Sequence, residues 1–298
     1  MMRGWCWPAA GVAALAAAGC ATAPRVATAT ATAPAVAPSV PTATAPAPTP
    51  FRWTGTTMQG GLIQGTAPAG TVMLTLDGQP VMLAGARFVA GFDRDAGPAA
   101  TLVATLADGT TVTERLVIAP RAWDISRLPT LAKTPVPAPE FDRLRPPELA
   151  AIAAARAVRT DAGGWAQRFV WPVTGRISTL FGSQRIYANG EAGSYHSGVD
   201  IARPSGTPVA APADGVVILA ADHPFTLEGN LLMIDHGMGL NTAFLHLSRI
   251  DVKVGDHVRQ GQIVGAVGAT GRATGPHLHW SLRWGDAKLD PLLAAGTM

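Results

Sequence analysis

The chain has 298 residues, 48% of them hydrophobic but only 14% charged, with 33 Gly, 25 Pro and two Cys, whereas a globular domain ordinarily carries about 25% charged residues. A net charge of +3 excludes a heavily basic nucleic-acid binder and an acidic disordered activator. Two cysteines exclude a disulfide framework and a four-cysteine zinc cluster, so any metal site has to draw on His and carboxylates.

Arg3 is the sole charge before Arg25, and between them runs an Ala-rich apolar stretch over 4–23, the layout of a secretory signal. It ends Leu15-Ala16-Ala17-Ala18-Gly19-Cys20, which resembles a bacterial lipoprotein lipobox, although Ala17 stands where Leu is commoner. A plain cleaved signal and an uncleaved anchor are the alternatives; Pro8 and the alanine run make a poor spanning helix. The resemblance implies a signal peptide over 1–19 and attachment to a lipid bilayer through Cys20. Ala21, not Asp, follows the cysteine, which implies the periplasmic face of the outer membrane, with secretion or inner-membrane anchoring as alternatives. Residues 20–50 read as a tether. Of the 30 positions from 21 to 50, 11 are Ala, 7 Pro and 7 Thr. Such a composition builds no core and favours an extended strand of about 3.1 Å per residue.

Residues 51–125 show short strand-like runs broken by turn signals. Thr71-Val72-Met73-Leu74-Thr75-Leu76 meets Asp77-Gly78 and resumes at Val81-Met82-Leu83, and a second run meets Asp108-Gly109. Asp-Gly between apolar runs signals a hairpin, and several strands in so short a span predict a small immunoglobulin-like β-sandwich. It holds no cluster of His, Cys and carboxylates and reads as a structural or spacing domain, with peptidoglycan or partner binding as the alternative. Residues 126–168 read as a linker with one helix: Pro146-Pro147-Glu148 introduces a breaker-free, Ala-rich segment over 149–159, with proline and an acid where a helix start prefers them.

From residue 169 to 298 the texture changes to short apolar runs separated by Gly, too closely spaced for ordinary helices. The expected fold class is therefore all-β: an N-terminal immunoglobulin-like β-sandwich, a connecting helix and a C-terminal β-sheet domain. All seven histidines fall in this last domain. His196-Ser197-Gly198-Val199-Asp200 reads as extended, so His196 and Asp200 can face one point. Read as a strand, His277-Leu278-His279-Trp280-Ser281-Leu282-Arg283-Trp284 puts Leu278, Trp280, Leu282 and Trp284 on a core face and His277, His279, Ser281 and Arg283 on the other. A zinc hydrolase needs three protein ligands and an open fourth position, which two histidines with Asp200 would meet. A remaining histidine is suited to proton transfer near neutral pH.

Taken together, His196-x-x-x-Asp200, Phe244-Leu245-His246-Leu247-Ser248 and Thr270-Gly271-Arg272-Ala273-Thr274-Gly275-Pro276-His277-Leu278-His279 resemble the lysostaphin-type (LytM-like) zinc peptidoglycan endopeptidases over 181–291. The resemblance implies a LytM-like metallopeptidase domain. In it His196, Asp200 and His279 would hold one Zn2+, and His246 and His277 would flank the reacting water. The substrate it implies is a peptidoglycan stem peptide or cross-bridge; which bond is cut, and which of the two histidines is the base, stay open. Phe244 stands where Tyr is common and Ser281 where Glu or Gly is often seen, which removes no ligand. Arg185, before the Asn189-Gly190 turn, is the candidate for holding a substrate carboxylate. His236 is expected to be structural, and His223 and His257 to be exposed loop residues. A non-catalytic LytM-like scaffold or activator of other cell-wall hydrolases is the rival reading, and such proteins usually lack one or more ligands. A biotinyl- or lipoyl-like carrier, echoed in Val252-Lys253-Val254-Gly255-Asp256, lacks the lysine-centred hairpin.

Overall fold

The structure, a computed structural model, describes residues 50–128, 136–187 and 189–298. The expected signal, Cys20 and nearly all of the tether lie outside the described residues. No helix of the described residues is long and apolar enough to cross a membrane.

The first seven strands are β1 (Arg52–Gly55), β2 (Leu62–Thr66), β3 (Thr71–Leu76), β4 (Gln79–Val81), β5 (Arg87–Gly91), β6 (Ala99–Leu106) and β7 (Thr111–Val117). They form a three-stranded sheet in the order β1-β2-β5 and a four-stranded sheet in the order β4-β3-β6-β7. Ile63, Phe88, Leu74, Leu102 and Leu116 bury between the sheets and make a two-sheet sandwich. The Asp77-Gly78 turn joins β3 to β4 as expected; both residues take positive φ, 50° and 79°, the hand that matches strand twist in a two-residue hairpin.

The next segment carries the one helix expected of the linker and also a strand that was not expected. A strand, β8 (Ile125–Leu128), precedes α1 (Ala138–Ala157). Pro146 and Pro147 lie inside α1 rather than at its start, which falls after Pro137. Glu148, expected in the first turn of the helix, lies in its interior and is buried; it accepts from Thr226 N and Thr226 Oγ1, both at 2.6 Å, and from Arg145 at 3.1 Å. Arg145 also donates two bonds to Glu228, at 2.6 and 2.8 Å. That fork holds the helix across the proline pair, where backbone donors are missing.

The last domain contains β9 (Arg176–Thr179), β10 (Gln184–Tyr187), β11 (Val199–Ala202), β12 (Pro208–Ala210), β13 (Gly215–Ala220), β14 (Asn230–Asp235), β15 (Leu240–Leu247), β16 (Arg249–Ile250), β17 (His257–Val258), β18 (Ile263–Ala266), β19 (His277–Trp284), β20 (Ala287–Leu289) and α2 (Pro291–Ala295). One sheet runs β17-β13-β14-β15-β19-β11-β9, with β20 paired to β19; a second runs β12-β18-β16; β8 and β10 pair in parallel. Strand alternation divides the large sheet. Leu232, Ile234, Phe244, Leu278, Trp280 and Leu282 join the main core, which Val209 and Val264 of the second sheet complete. On the opposite face Leu231, Met233 and Ala243 pack beneath Ile152 and Ala155 of α1. The helix covers the β13–β15 side of that face, and on β19 the same face carries His277, His279, Ser281 and Arg283.

Residues 47–298 form one compact unit, not two separate bodies. Val89 of β5 belongs to the main core, and Trp284 packs against both cores.

Candidate metal centre

Asp200 of β11 stands opposite His279 of β19 in their antiparallel ladder. His196 precedes β11 in a loop whose backbone folds back on itself, with His196 N donating to Ser183 O at 2.9 Å and Gly182 N to His196 O at 2.8 Å. A Cβ on Gly198 would fall 2.3 Å from Trp280 O and 2.8 Å from His279 Nε2, so Gly198 is what lets the loop reach the ladder.

His246 reaches the same place by a bulge. Asn230 pairs with Leu247 and Leu232 with Phe244, so Leu245 and His246 stand opposite Leu231 alone. Strict alternation would send His246 into the core with Phe244; the extra residue turns it out. Its φ of 65° is a left-handed conformation that costs a non-glycine residue about 1–2 kcal/mol. Strain of this kind persists where surrounding structure enforces it, often at functional sites.

Three of the five predicted residues are turned by fixed backbone partners. Nδ1 of His196 donates to Leu180 O at 3.1 Å, that of His246 to Thr270 O at 2.8 Å and that of His277 to Gly275 O at 2.8 Å. Each neutral ring therefore offers an Nε2 lone pair. His196 Nε2, Asp200 Oδ1 and His279 Nδ1 lie 2.9 Å from one another. With the Nδ1 proton of His196 committed to Leu180, its Nε2 lone pair faces the Asp200 carboxylate oxygen at 2.9 Å. A cation resolves that conflict. The spacing approaches the roughly 3.3 Å edge of a tetrahedron with bonds of about 2.0–2.1 Å, and two imidazoles with a carboxylate suit a metal ion. His246 and His277 stand beside this triangle, their ring centres 4.8 Å apart, and His277 Nε2 is 3.7 Å from Asp200 Oδ1.

Electrostatics follow from this packing. Burial alone would raise the Asp200 pKa, but the neighbouring His196 and His279 outweigh it and hold the carboxylate well below its ordinary range. Burial lowers His279 to about 4 and His246 to about 3, the latter helped by His279 and His277. Both rings are neutral at pH 7, as metal ligation by His279 requires.

A cavity of about 190 Å³ opens over the cluster, lined among others by Asp200, His246, His277 and His279. Arg185 lies on its wall, as does Arg272, whose guanidinium donates to Tyr187 Oη at 3.0 Å. Burial lowers the Arg185 pKa and Asp200 opposes the shift. Sequence reasoning missed the other wall: Ser126 and Leu128 of β8, and Glu228, held by α1.

The remaining histidines lie away from the cavity. His223 is exposed beside Asp222; His257 is exposed but sits on the edge strand β17, not in a loop, paired with Val216. His236 is structural: fully buried, it bonds Asp214 O at 2.7 Å and Thr242 Oγ1 at 2.9 Å and meets the Phe169 ring edge-on. Burial lowers its pKa from the ordinary 6.5 to about 4. A folded-state pKa below the unfolded one gives stability that is present above pH 6.5 and is lost as the pH falls toward 4. Between pH 7 and 4.5 the chain is expected to lose about 2.5 kcal/mol more than its His236→Gln variant. Urea midpoints of both chains at the two pH values check this; equal losses would refute it.

Residues 194–291 match the model of a family described as peptidase family M23. A crystal structure described as a peptidase M23 from Pseudomonas aeruginosa superposes with a TM-score of 0.63 and 31% identity, covering 81% of this chain and 96% of that one. Over 116 residues the chain is 44% identical to the peptidoglycan DD-endopeptidase ShyA of Vibrio cholerae, covering 39% of this chain and 26% of that protein. Over 120 residues it is 41% identical to the DD-carboxypeptidase/endopeptidase Mpg of Neisseria meningitidis, covering 40% and 27%. The match thus spans about a quarter of the length of these curated relatives.

Proposed function

Because the chain belongs to peptidase family M23, we propose that it is a zinc-dependent endopeptidase that hydrolyses peptide cross-links of bacterial peptidoglycan during cell-wall remodelling. The observation that carries this reading is the triangle of His196 Nε2, Asp200 Oδ1 and His279 Nδ1 at 2.9 Å, with two further imidazoles turned toward the same cavity. Those three residues hold one zinc ion, which supplies Lewis acidity toward a carbonyl and a water molecule.

The chain's own groups move the proton. His277 is the better base: its Nε2 carries a lone pair, and a positive charge arising there lies 3.7 Å from the Asp200 carboxylate. It takes a proton from the attacking water and returns it to the leaving amine nitrogen. His246, whose charge is opposed by burial and by two neighbouring rings, stays neutral and orients the water through Nε2. Arg185 holds a free carboxylate of the substrate beside the scissile bond. The domain comprises 169–298; the sandwich over 51–125 and the helix-bearing linker over 126–168 precede it. Lipidation at Cys20 and the tether over 20–50 keep it at the periplasmic face of the outer membrane, within reach of the wall.

Purified sacculi incubated with the chain, with and without chelator, and analysed by mass spectrometry test this reading. Expected are cross-linked fragments split at a peptide bond, with release stopped by chelator and restored by zinc. Intact cross-links at full zinc occupancy would leave the chain a scaffold and overturn the proposal. In the same assay Arg185→Ala should raise KM by roughly 10- to 100-fold, the worth of a charge-assisted hydrogen bond. That rise is expected for cross-links with a free carboxylate beside the cut bond and not for an uncharged glycine peptide; equal effects on both would remove the role given to Arg185.

A further inference from the structure

The sandwich touches the metal centre through one loop. Residues 180–196 connect β9 to β11 by way of β10, and they carry both His196 and the carbonyl of Leu180 that orients its ring. Each end of this loop is gripped by the sandwich or by the segment that follows it. Arg94, after β5, is 13% exposed; its Nε donates to Gly182 O at 2.8 Å, and its guanidinium lies 4.7 Å from the centre of the Tyr195 ring and 5.2 Å from that of Trp123. Asp93 accepts from Tyr195 Oη at 3.0 Å and, through its other oxygen, from Lys288 N at 2.8 Å. Trp123 packs edge-on against Phe181 and covers Gly182, whose φ is 82° and whose Cβ, if present, would fall 2.1 Å from the indole. Asp124 O accepts from Gln184 N at 2.7 Å, and β8 continues the pairing along β10.

Gly182 and Tyr195 matter because of what they adjoin. Gly182 N donates to His196 O, and Tyr195 is the residue before His196. Fixing these two points fixes the His196 backbone on both sides, and Leu180 O then fixes its ring. A partly buried cation between two aromatic faces with a hydrogen bond to a backbone carbonyl holds a loop in one geometry. The other contacts of the sandwich lie elsewhere: Gln64 Nε2, for example, donates to Trp165 O.

We infer that Asp93 and Arg94 of the N-terminal sandwich are positioning residues of the metal centre, holding the loop that aims His196, so that metal affinity is set in part by a domain that supplies no ligand. The inference rests on the metal site proposed above. Partners that orient a ligand from outside the coordination sphere typically contribute 10- to 100-fold to metal affinity.

The test is zinc affinity of the whole chain by competition with a chromophoric chelator, with thermal unfolding of the metal-free forms alongside. Arg94→Met and Tyr195→Phe are expected to weaken zinc binding at least tenfold and about threefold or more, respectively. Gln64→Ala, which cuts a sandwich contact remote from the loop, should bind as the unaltered chain does. Tyr195→Phe removes one hydroxyl, so it decides the matter should Arg94→Met fail to fold. Unchanged affinity in Tyr195→Phe and in any folded Arg94→Met would overturn the inference. So would an equal weakening in Gln64→Ala, which would trace the effect to general stability. Failure of the unaltered chain to bind zinc would fall on the site reading, not on this one.

Discussion

Replacing His277 with alanine is expected to lower kcat for cross-link hydrolysis by roughly 10²–10⁴-fold, the usual worth of a positioned acid–base group, while zinc content stays at that of the unaltered chain. The ring contributes no atom to the triangle of His196, Asp200 and His279, so its loss takes away the proton acceptor and leaves the donor set whole. Its Nδ1 partner is the Gly275 carbonyl two residues away, so truncation breaks only a local hydrogen bond. His246→Ala is expected to fall on the same side, with a smaller loss in kcat, because that ring orients the water without taking on charge. The alanine keeps the left-handed backbone at the bulge, because any residue with a Cβ carries that strain, and it loses the bond from His246 Nδ1 to Thr270 O, so its unfolding midpoint should fall more than that of His277→Ala. Metal analysis and steady-state rates on both variants decide the assignment. Full activity of the double variant would refute it, and loss of metal from His277→Ala would move that residue into the ligand set.

Asp200→Ala is expected to have the largest effect of any single replacement: zinc lost on dialysis, and hydrolysis below detection. The carboxylate is the only anion in the triangle, and its removal leaves two neutral nitrogen donors, one short of the three a zinc peptidase site needs. The loss should exceed the 10- to 100-fold that an outer partner contributes. Unfolding reports the same event without reference to activity. A ligand present at 100 times its Kd stabilises the folded state by about 2.7 kcal/mol, so zinc should raise the Tm of the unaltered chain and leave that of Asp200→Ala where it was. A zinc-dependent rise of equal size in both chains would show that the ion binds elsewhere.

The parts of this fold legible in the sequence are those fixed by local pattern. β19 carries strict alternation, and Leu278, Trp280 and Leu282 join the core as the pattern assigns, whereas Trp284 is half-buried and His279, on the other face, is buried within the site. The Asp77-Gly78 turn is legible because a two-residue hairpin of that hand has few solutions. The five site residues are legible as a set through motif resemblance, and their convergence in space depends on long-range pairing that no local rule supplies. β8 was hidden for the same reason: its four residues are strand because β10 lies beside them. The start of α1 was misplaced because Pro146-Pro147 reads locally as a beginning, while the fork from Arg145 to Glu228 that lets the helix pass through crosses 83 residues. Asp290 caps α2 by accepting from Leu292 N, and Pro291 occupies its first turn.

The sharing of one sheet face between α1 and the metal centre bears on how this protein can be divided. The recognisable peptidase segment, 194–291, is not a portable unit. Excised at its own borders it would lose the edge strand β9 and, from its interior, Trp165 and Phe169, and Leu231, Met233 and Phe225 would lie bare where Ile152 had covered them. It would also surrender the Arg145 counter-ion of Glu228 at the rim of the cleft. The helix acts as a lintel over the doorway as well as a roof tile for the sheet, and a chain shortened past residue 138 is expected to forfeit solubility and groove shape together.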